Sequence, residues 1–268
     1  MIKLGIFGNP VEHSKSPQMQ NSALKSLDLD GEYDRYLLLD GSKIKEEFLN
    51  LKLNGANITI PHKEEAYKNA DEVRGIASKI GAVNTYVKEN DKIIGYNTDA
   101  PGFMKSIEEY GEITHVCILG AGGTARALAL AFLENGTDVT IINRTRVGRL
   151  EFFEDLGCKC YSLEELYLMP TSKYPSCELI VNTTSAGLND NFLPIPIVIL
   201  KQIMKQATYA VDCIYGKVTP FLNIAKDLNL TYKDGKDMLL FQGVLALELF
   251  LGKELPQFTI EQMNKCLE

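Results

Sequence analysis

The chain has 268 residues, 45% of them hydrophobic, enough to bury one large core or two modest ones. It carries 28 basic and 35 acidic residues, a net charge of -7 and no basic run, which excludes a nucleic-acid or anionic-membrane face as its working surface. No apolar stretch reaches membrane-spanning length, and the apolar start at Met1 is too short for a signal peptide, so a cytoplasmic protein is expected.

Residues 2–7 read as a strand. A polar loop follows and ends in a helix start, with Ser16 as the N-cap and Pro17 in the first helical position; that helix runs to about residue 27. A strand over 33–39 comes next, then a helix over 43–53 from the spacing of Ile44, Phe48 and Leu51, then a strand over 56–60 stopped by Pro61. Two short helices are expected over 63–69 and 72–79, and strands over 83–87 and 92–96 pair across Glu89-Asn90-Asp91. A helix from Asp99 or Ala100 to about Tyr110 connects to a second region. There, strands over 116–119, 138–142, 179–182 and 209–212 alternate with helices over 124–134, 147–156, 197–206 and 221–227, the pattern of a doubly wound parallel sheet. The chain closes with helices over 237–251 and 260–267.

The expected fold class is α/β. An N-terminal α/β domain spans 1–100, a Rossmann-type domain 101–235, and C-terminal helices over 236–268 return to the first domain.

Six cysteines form neither a Cys-x-x-Cys pair nor a Cys/His ligand spacing. Cys117 and Cys213 lie in apolar strand-like runs, and a strand places Cys158 and Cys160 on one face without further ligands nearby. They are read as free thiols, and no metal site is expected.

The chemistry gathers around Gly120-Ala121-Gly122-Gly123-Thr124-Ala125, set between an apolar strand and an alanine- and leucine-rich helix. Gly120 allows the sharp turn, Gly122 lets backbone approach a pyrophosphate, and Ala125 is small enough for the helix to pack on the strand. The N–H groups opening that helix face the phosphates. Roughly 20 residues beyond the glycine turn, an NAD site places an acid on the ribose hydroxyls. Here stand Asn143-Arg144-Thr145, followed by Arg146 as a second charge. A carboxylate repels a 2′-phosphate and an arginine pairs with it, so the cofactor is expected to be NADP(H).

These motifs have a common source. Ser14-Lys15-Ser16-Pro17, Asn57-Ile58-Thr59-Ile60-Pro61-His62-Lys63, Ala82-Val83-Asn84-Thr85, Asn97-Thr98-Asp99, the Gly120 loop, Asn143-Arg144-Thr145 and Asn182-Thr183-Thr184-Ser185-Ala186-Gly187 occur in the order found in the shikimate dehydrogenase family. Asp234-Gly235 through Gln242-Gly243 continue it, and the chain resembles that family over essentially its whole length. The resemblance implies NADPH-dependent, reversible reduction of 3-dehydroshikimate to shikimate, with Lys63 and Asp99 as the acid/base pair. It implies that Ser14 and Ser16 hold the substrate carboxylate. Thr59, Asn84 and Gln242 match ligands of the ring hydroxyls and carboxylate, and Tyr215 a tyrosine that reaches the carboxylate. Thr183 and Thr184 end a parallel strand where ligands gather. Gly235 and Met238 match positions near the nicotinamide. Two departures stand out. Leu188 replaces the methionine of Thr-Ser-x-Gly-Met, and Gly216 replaces a common proline after Tyr215, which leaves that loop freer.

Some alternatives fall away and others stay open. Tyr232 and Lys236 have the Tyr-x-x-x-Lys spacing of short-chain dehydrogenases, but Asp234-Gly235 breaks the helical turn that pair requires. His62, beside the matched lysine, is read as structural. An NADP-binding regulatory protein without catalysis is disfavoured by the intact Lys63 and Asp99. Activity on quinate, and use of NAD, stay open. The expected partners are small molecules, with no nucleic acid and no membrane; a homodimer is compatible with the sequence.

Overall fold

The computed structural model describes all 268 residues. The first part of the chain runs β1 (Ile2–Gly8), α1 (Ser16–Ser26), β2 (Gly31–Leu37), α2 (Ile44–Asn50), β3 (Gly55–Ile58), α3 (Lys63–Asn69), β4 (Glu72–Val73), α4 (Ile76–Ile80), β5 (Thr85–Glu89), β6 (Lys92–Tyr96) and α5 (Asp99–Ser106). The middle runs β7 (His115–Leu119), α6 (Gly123–Glu134), β8 (Asp138–Asn143), α7 (Glu151–Asp155), β9 (Lys159–Ser162), α8 (Leu163–Leu168), β10 (Leu179–Asn182), α9 (Ile197–Met204), β11 (Tyr209–Asp212), α10 (Pro220–Asp227) and β12 (Thr231–Lys233). Helices α11 (Lys236–Leu251) and α12 (Gln257–Lys265) complete the chain.

It divides into two compact units, Met1–Gly102 with Leu240–Glu268, and Phe103–Leu239. Both crossings fall inside helices, α5 and α11.

The first unit is built on a six-stranded mixed sheet in the order β2-β1-β3-β5-β6-β4. Strands β2, β1 and β3 are parallel; β5 runs antiparallel to both β3 and β6. The β5–β6 hairpin turns at Asn90, which takes φ 55°, a left-handed conformation that asparagine tolerates. One apolar cluster joins Leu4, Met19, Leu24 and Tyr33 to Leu240, Val244, Leu247 and Met263, so the C-terminal helices return to this sheet. A second gathers Phe7, Phe48, Ile58, Tyr86 and Ile93. Two expectations need correction here. Residues 72–79 do not form one helix: Arg74 reaches Glu72 and Glu89, Gly75 turns at φ 62°, and only Ile76–Ile80 is helical. Ser16 is not an N-cap; Lys15 holds that position without a side-chain cap, and Ser16 is already helical.

The second unit holds six parallel strands in the order β12-β11-β10-β7-β8-β9. Counted from β7, this is the 3-2-1-4-5-6 order of a Rossmann sheet, with its switch point between β7 and β10. Apolar clusters line both faces of the sheet. Gly148, at φ 69°, delays α7, which is shorter than the helix expected over 147–156. The sequence pattern did not separate α8 and β12 from loop. Cys158 belongs to one cluster and Cys160 packs against it; burial pushes these thiols up to about 11 and about 12. No helix is long and apolar enough to cross a membrane.

Candidate active site

In the first unit, β3 delivers Asn57 to its carboxyl end, and the chain turns at Pro61 so that Lys63 opens α3. His62 is buried with Nε2 2.6 Å from the Leu38 carbonyl oxygen, a structural placement. Lys63 Nζ donates to Asp99 Oδ2 at 2.6 Å, with side-chain exposures of 22% and 12% that leave the pair reachable yet largely dry. Partial exclusion of water strengthens such a pair. Asp99 opens α5, where the helix dipole favours an anion, and its other oxygen accepts from Asn84 Nδ2 at 2.9 Å. Lys63, Asp99 and Asn84 are therefore joined directly.

The remaining positions of this unit surround that core differently. Ser14 Oγ accepts the Ser16 N–H at 3.2 Å, so Ser14, not Ser16, tends the helix start. Ser16 is buried as the first residue of α1. Thr59 follows β3, its N–H donating to the Phe7 carbonyl at 2.9 Å. Gln242 lies on α11 where it meets α5: a Cβ on Gly102 would stand 2.6 Å from the Gln242 nitrogen, so only glycine permits this approach. Tyr33, Asn57, Thr85 and Thr98 are buried polar residues that sequence reasoning assigned no role. Asn57, Thr85 and Thr98 stood inside quoted motifs; Tyr33 had no local signal.

The second unit places its residues at the carboxyl ends of β7, β8, β10 and β11. Gly120 takes φ 109°, and a Cβ there would lie 2.8 Å from Thr183 Oγ1 and 2.9 Å from Thr184 Cγ2. Its bare backbone thus lets the two crossover turns meet at the switch point. Ala121 and Ala125 are buried in the β7–α6 packing. Gly122 and Gly123 are exposed, a Cβ on either meeting nothing within 4 Å, and Thr124 follows in the first turn. No side chain caps α6, which leaves its opening N–H groups to a ligand.

Below the turns lies a buried polar relay. Thr183 donates its N–H and hydroxyl to the Leu119 carbonyl, and Thr184 donates both of its donors to Asn182 Oδ1. Asn182 Nδ2 donates to Asp212 at 3.0 Å; the Ile214 N–H and Thr219 hydroxyl donate there too. Burial pushes the Asp212 carboxyl above its usual range, against the pull of those donors.

After β8, Asn143 Nδ2 donates to the Thr145 carbonyl at 2.9 Å and closes a turn. Arg144 and Thr145 are exposed, and Arg144 makes no ion pair. Arg146 is not a second free charge. Glu165 and Glu154 hold its guanidinium, and it donates to the Cys160 carbonyl at 3.0 Å. Arg149, passed over in the sequence, is exposed on the same turn. These donors, with no carboxylate at the end of β8, fit a dinucleotide carrying a 2′-phosphate better than one with a free ribose.

Gly235 is crowded: a Cβ would stand 2.3 Å from the Cys213 carbonyl oxygen. Met238 packs against the core of this unit. Tyr215 is 38% exposed, and partial burial raises its hydroxyl. The loop after it is pinned rather than free. Gly216 sits at φ 78° and donates its N–H to Asp234 Oδ2 at 2.9 Å, two things a proline cannot do. Tyr232 lies in β12 and Lys236 opens α11, so they share no helix face.

Residues 6–86 match the family model of the shikimate dehydrogenase substrate binding domain. A shikimate dehydrogenase (NADP(+)) of Helicobacter hepaticus is 46% identical over 257 residues, 96% of this chain and 93% of the relative. The chain belongs to the shikimate dehydrogenase family. A second member, from Helicobacter pylori, is 45% identical over 94% of this chain and 93% of its own. Among solved family structures, shikimate 5-dehydrogenase of Thermus thermophilus in complex with NADP(H) and shikimate aligns over 100% of both chains, with a TM-score of 0.86 at 32% identity.

Proposed function

We propose that the protein is an NADP-dependent shikimate dehydrogenase, reducing 3-dehydroshikimate to shikimate, reversibly, in the biosynthesis of chorismate and aromatic amino acids. The observation that carries this is the Lys63–Asp99–Asn84 cluster, a cation held by an oriented carboxylate, in the unit that contains the matched substrate-binding domain. The unit Met1–Gly102 with Leu240–Glu268 takes the substrate, and Phe103–Leu239 takes NADP(H).

NADPH, when bound, supplies the hydride to the carbonyl carbon. Lys63 faces the carbonyl oxygen, stabilises the charge that develops there and delivers the proton, so that hydride and proton together convert C=O to CH–OH. Asp99 fixes the ammonium and accepts a bond from a substrate hydroxyl. Asn84 and Thr59 bind ring hydroxyls. Ser14, Ser16, Tyr215 and Gln242 hold the carboxylate. Gly120, Ala121, Gly122, Gly123, Thr124 and Ala125 cradle the pyrophosphate, Asn143, Arg144 and Thr145 take the adenosine end, and Thr183, Thr184, Gly235 and Met238 border the nicotinamide. The protein works in the cytoplasm on small molecules, without nucleic-acid or membrane partners, and a homodimer is compatible with this role.

The test is NADP+-dependent oxidation of shikimate, followed by absorbance of NADPH, with quinate and NAD+ as competing pairs. Lys63→Ala lowers kcat by about 10²–10⁴-fold, the ordinary worth of a general acid/base, and leaves the Kd for NADPH within about twofold. Turnover within a fewfold of wild type sinks the assignment of Lys63. NADPH binding without any turnover by the wild type points to a regulatory protein instead.

A further inference from the structure

We propose that Thr85 is a positioning residue for the Lys63–Asp99 pair, acting through Asn84 at the centre of a one-way hydrogen-bond chain that begins at Tyr33; the inference rests on the reaction proposed above. The chain is continuous. Tyr33 OH donates to Asn57 Oδ1 at 2.7 Å. Asn57 Nδ2 donates to Thr85 Oγ1 at 3.1 Å, Thr85 donates to Asn84 Oδ1 at 2.8 Å, and Asn84 Nδ2 donates to Asp99 Oδ1 at 2.9 Å. Asp99 in turn receives Lys63.

Its direction is set by backbone. An amide side chain presents an acceptor and a donor on opposite ends and can be turned over. The Thr98 N–H, which can only donate, points at Asn84 Oδ1 from 2.8 Å. That fixes the oxygen end of Asn84 and turns its NH2 toward Asp99. The Asn84 carbonyl, which can only accept, stands 3.4 Å from Asn57 Nδ2 and fixes that amide likewise. Thr85 therefore accepts from Asn57, and its single proton goes to Asn84.

The setting makes the hydroxyl hard to replace. Tyr33 and Thr85 are fully buried, and Asn57, Asn84 and Thr98 nearly so. In such a place each member depends on its neighbours, because no bulk water takes over a lost bond. Removing the Thr85 hydroxyl deprives Asn57 of its nearer acceptor and Asn84 of one of the donors that hold its amide upright. Asp99 then loses an aligned donor, and the ammonium it carries shifts with it. A misplacement of about 1 Å costs on the order of 10²-fold in rate.

The experiment compares Thr85→Val, which keeps the shape and removes the hydroxyl, with Thr85→Ser, which keeps the hydroxyl. Shikimate oxidation with NADP+ is measured in H2O and D2O, together with the Kd for NADPH. Thr85→Val is expected to lower kcat by about 10–100-fold and to enlarge the solvent deuterium isotope effect, since proton transfer then limits turnover, with NADPH binding unchanged; Thr85→Ser stays within about threefold of wild type. A loss of correctly folded enzyme lowers kcat and leaves the isotope effect where it was, so that result assigns Thr85 to packing and overturns the inference. A Thr85→Val enzyme as active as wild type overturns it as well. Should the valine variant fail to fold, Thr85→Ala, which leaves room for a water, is judged by the same two readouts. A wild type without shikimate turnover overturns the functional proposal and this inference together; a wild type that turns over, with unaffected Thr85 variants, overturns this inference alone.

Discussion

Arg144 and Arg146 stand two residues apart and are alike to any local reading, yet only one is available. Arg146 is neutralised by Glu154 and Glu165, eight and 19 positions downstream, while Arg144 makes no ion pair. The sequence announces the cations but not which of them carboxylates from the following elements will claim. Arg144→Gln is accordingly expected to raise the KM for NADP+ by about 10–100-fold, the worth of a charge-assisted contact of about 1.5–3 kcal/mol. The KM for NAD+, which lacks the 2′-phosphate, stays within about twofold. Equal effects on both cofactors place Arg144 outside 2′-phosphate recognition. The same limit applied to Ser14 and Ser16. A Ser-x-Ser-Pro start invites a cap at the second serine, but the first one receives the helix N–H, and the second is buried inside the helix it was expected to cap.

At the scale of elements, what was legible followed burial. Strands β7, β8, β10 and β11 sit inside the sheet and read as apolar runs of strand length. Strands β12 and β4 are edges of two to three residues, partly exposed, and lack both periodicity and hydrophobicity; edge strand β9 showed only in the Cys158/Cys160 alternation. Helix α8 did leave a trace: Ser162-Leu163-Glu164-Glu165 is a capping box, and Ser162 and Glu165 exchange both bonds of that motif. Glu165 has a second task in holding Arg146, and that contact, with the Ser162 backbone N–H, keeps its carboxyl below the usual range. A depressed carboxyl stabilises the fold above its ordinary value of about 4.3 and loses that contribution as pH falls through the folded value. Both partners are more than a third exposed, with 37% and 41% of their side-chain surface open, so screening holds the contribution under about 1 kcal/mol. Glu165→Gln keeps a capping side chain and removes the charge. Its Tm is expected below wild type by no more than about 2–4 °C at pH 7, the gap closing by about pH 3. A gap independent of pH means that the charge contributes nothing.

For the whole molecule, the order of the chain and the order of the units differ. The chain leaves the first unit within α5, builds the Rossmann sheet, and comes back within α11. An apolar stretch past residue 236 signalled covering helices, but a boundary inside a continuous helix interrupts no element: Pro101-Gly102 stand within α5, and α11 runs unbroken past Leu239. The returning helices are held by burial and by bonds that span the sequence. Gln20 Nε2 donates to the Gly243 carbonyl at 2.9 Å, and Ser26 donates to Thr259 Oγ1 at the same distance. Met263 on α12 is fully buried among Leu4, Met19 and Leu247, whereas Phe258 on the same helix is 59% exposed. Truncating Met263 to alanine removes buried surface and leaves a cavity, a loss of about 2–5 kcal/mol, while a truncated surface side chain costs no more than about 0.5 kcal/mol. Met263→Ala should therefore lower the thermal midpoint by several degrees and Phe258→Ala should leave it nearly unchanged, in melts of the full chain. NADPH titrated at 25 °C should bind both variants like wild type, because its proposed site is built from Phe103–Leu239. If Phe258→Ala destabilises as much as Met263→Ala, α12 does not hold this sheet through its Met263 face.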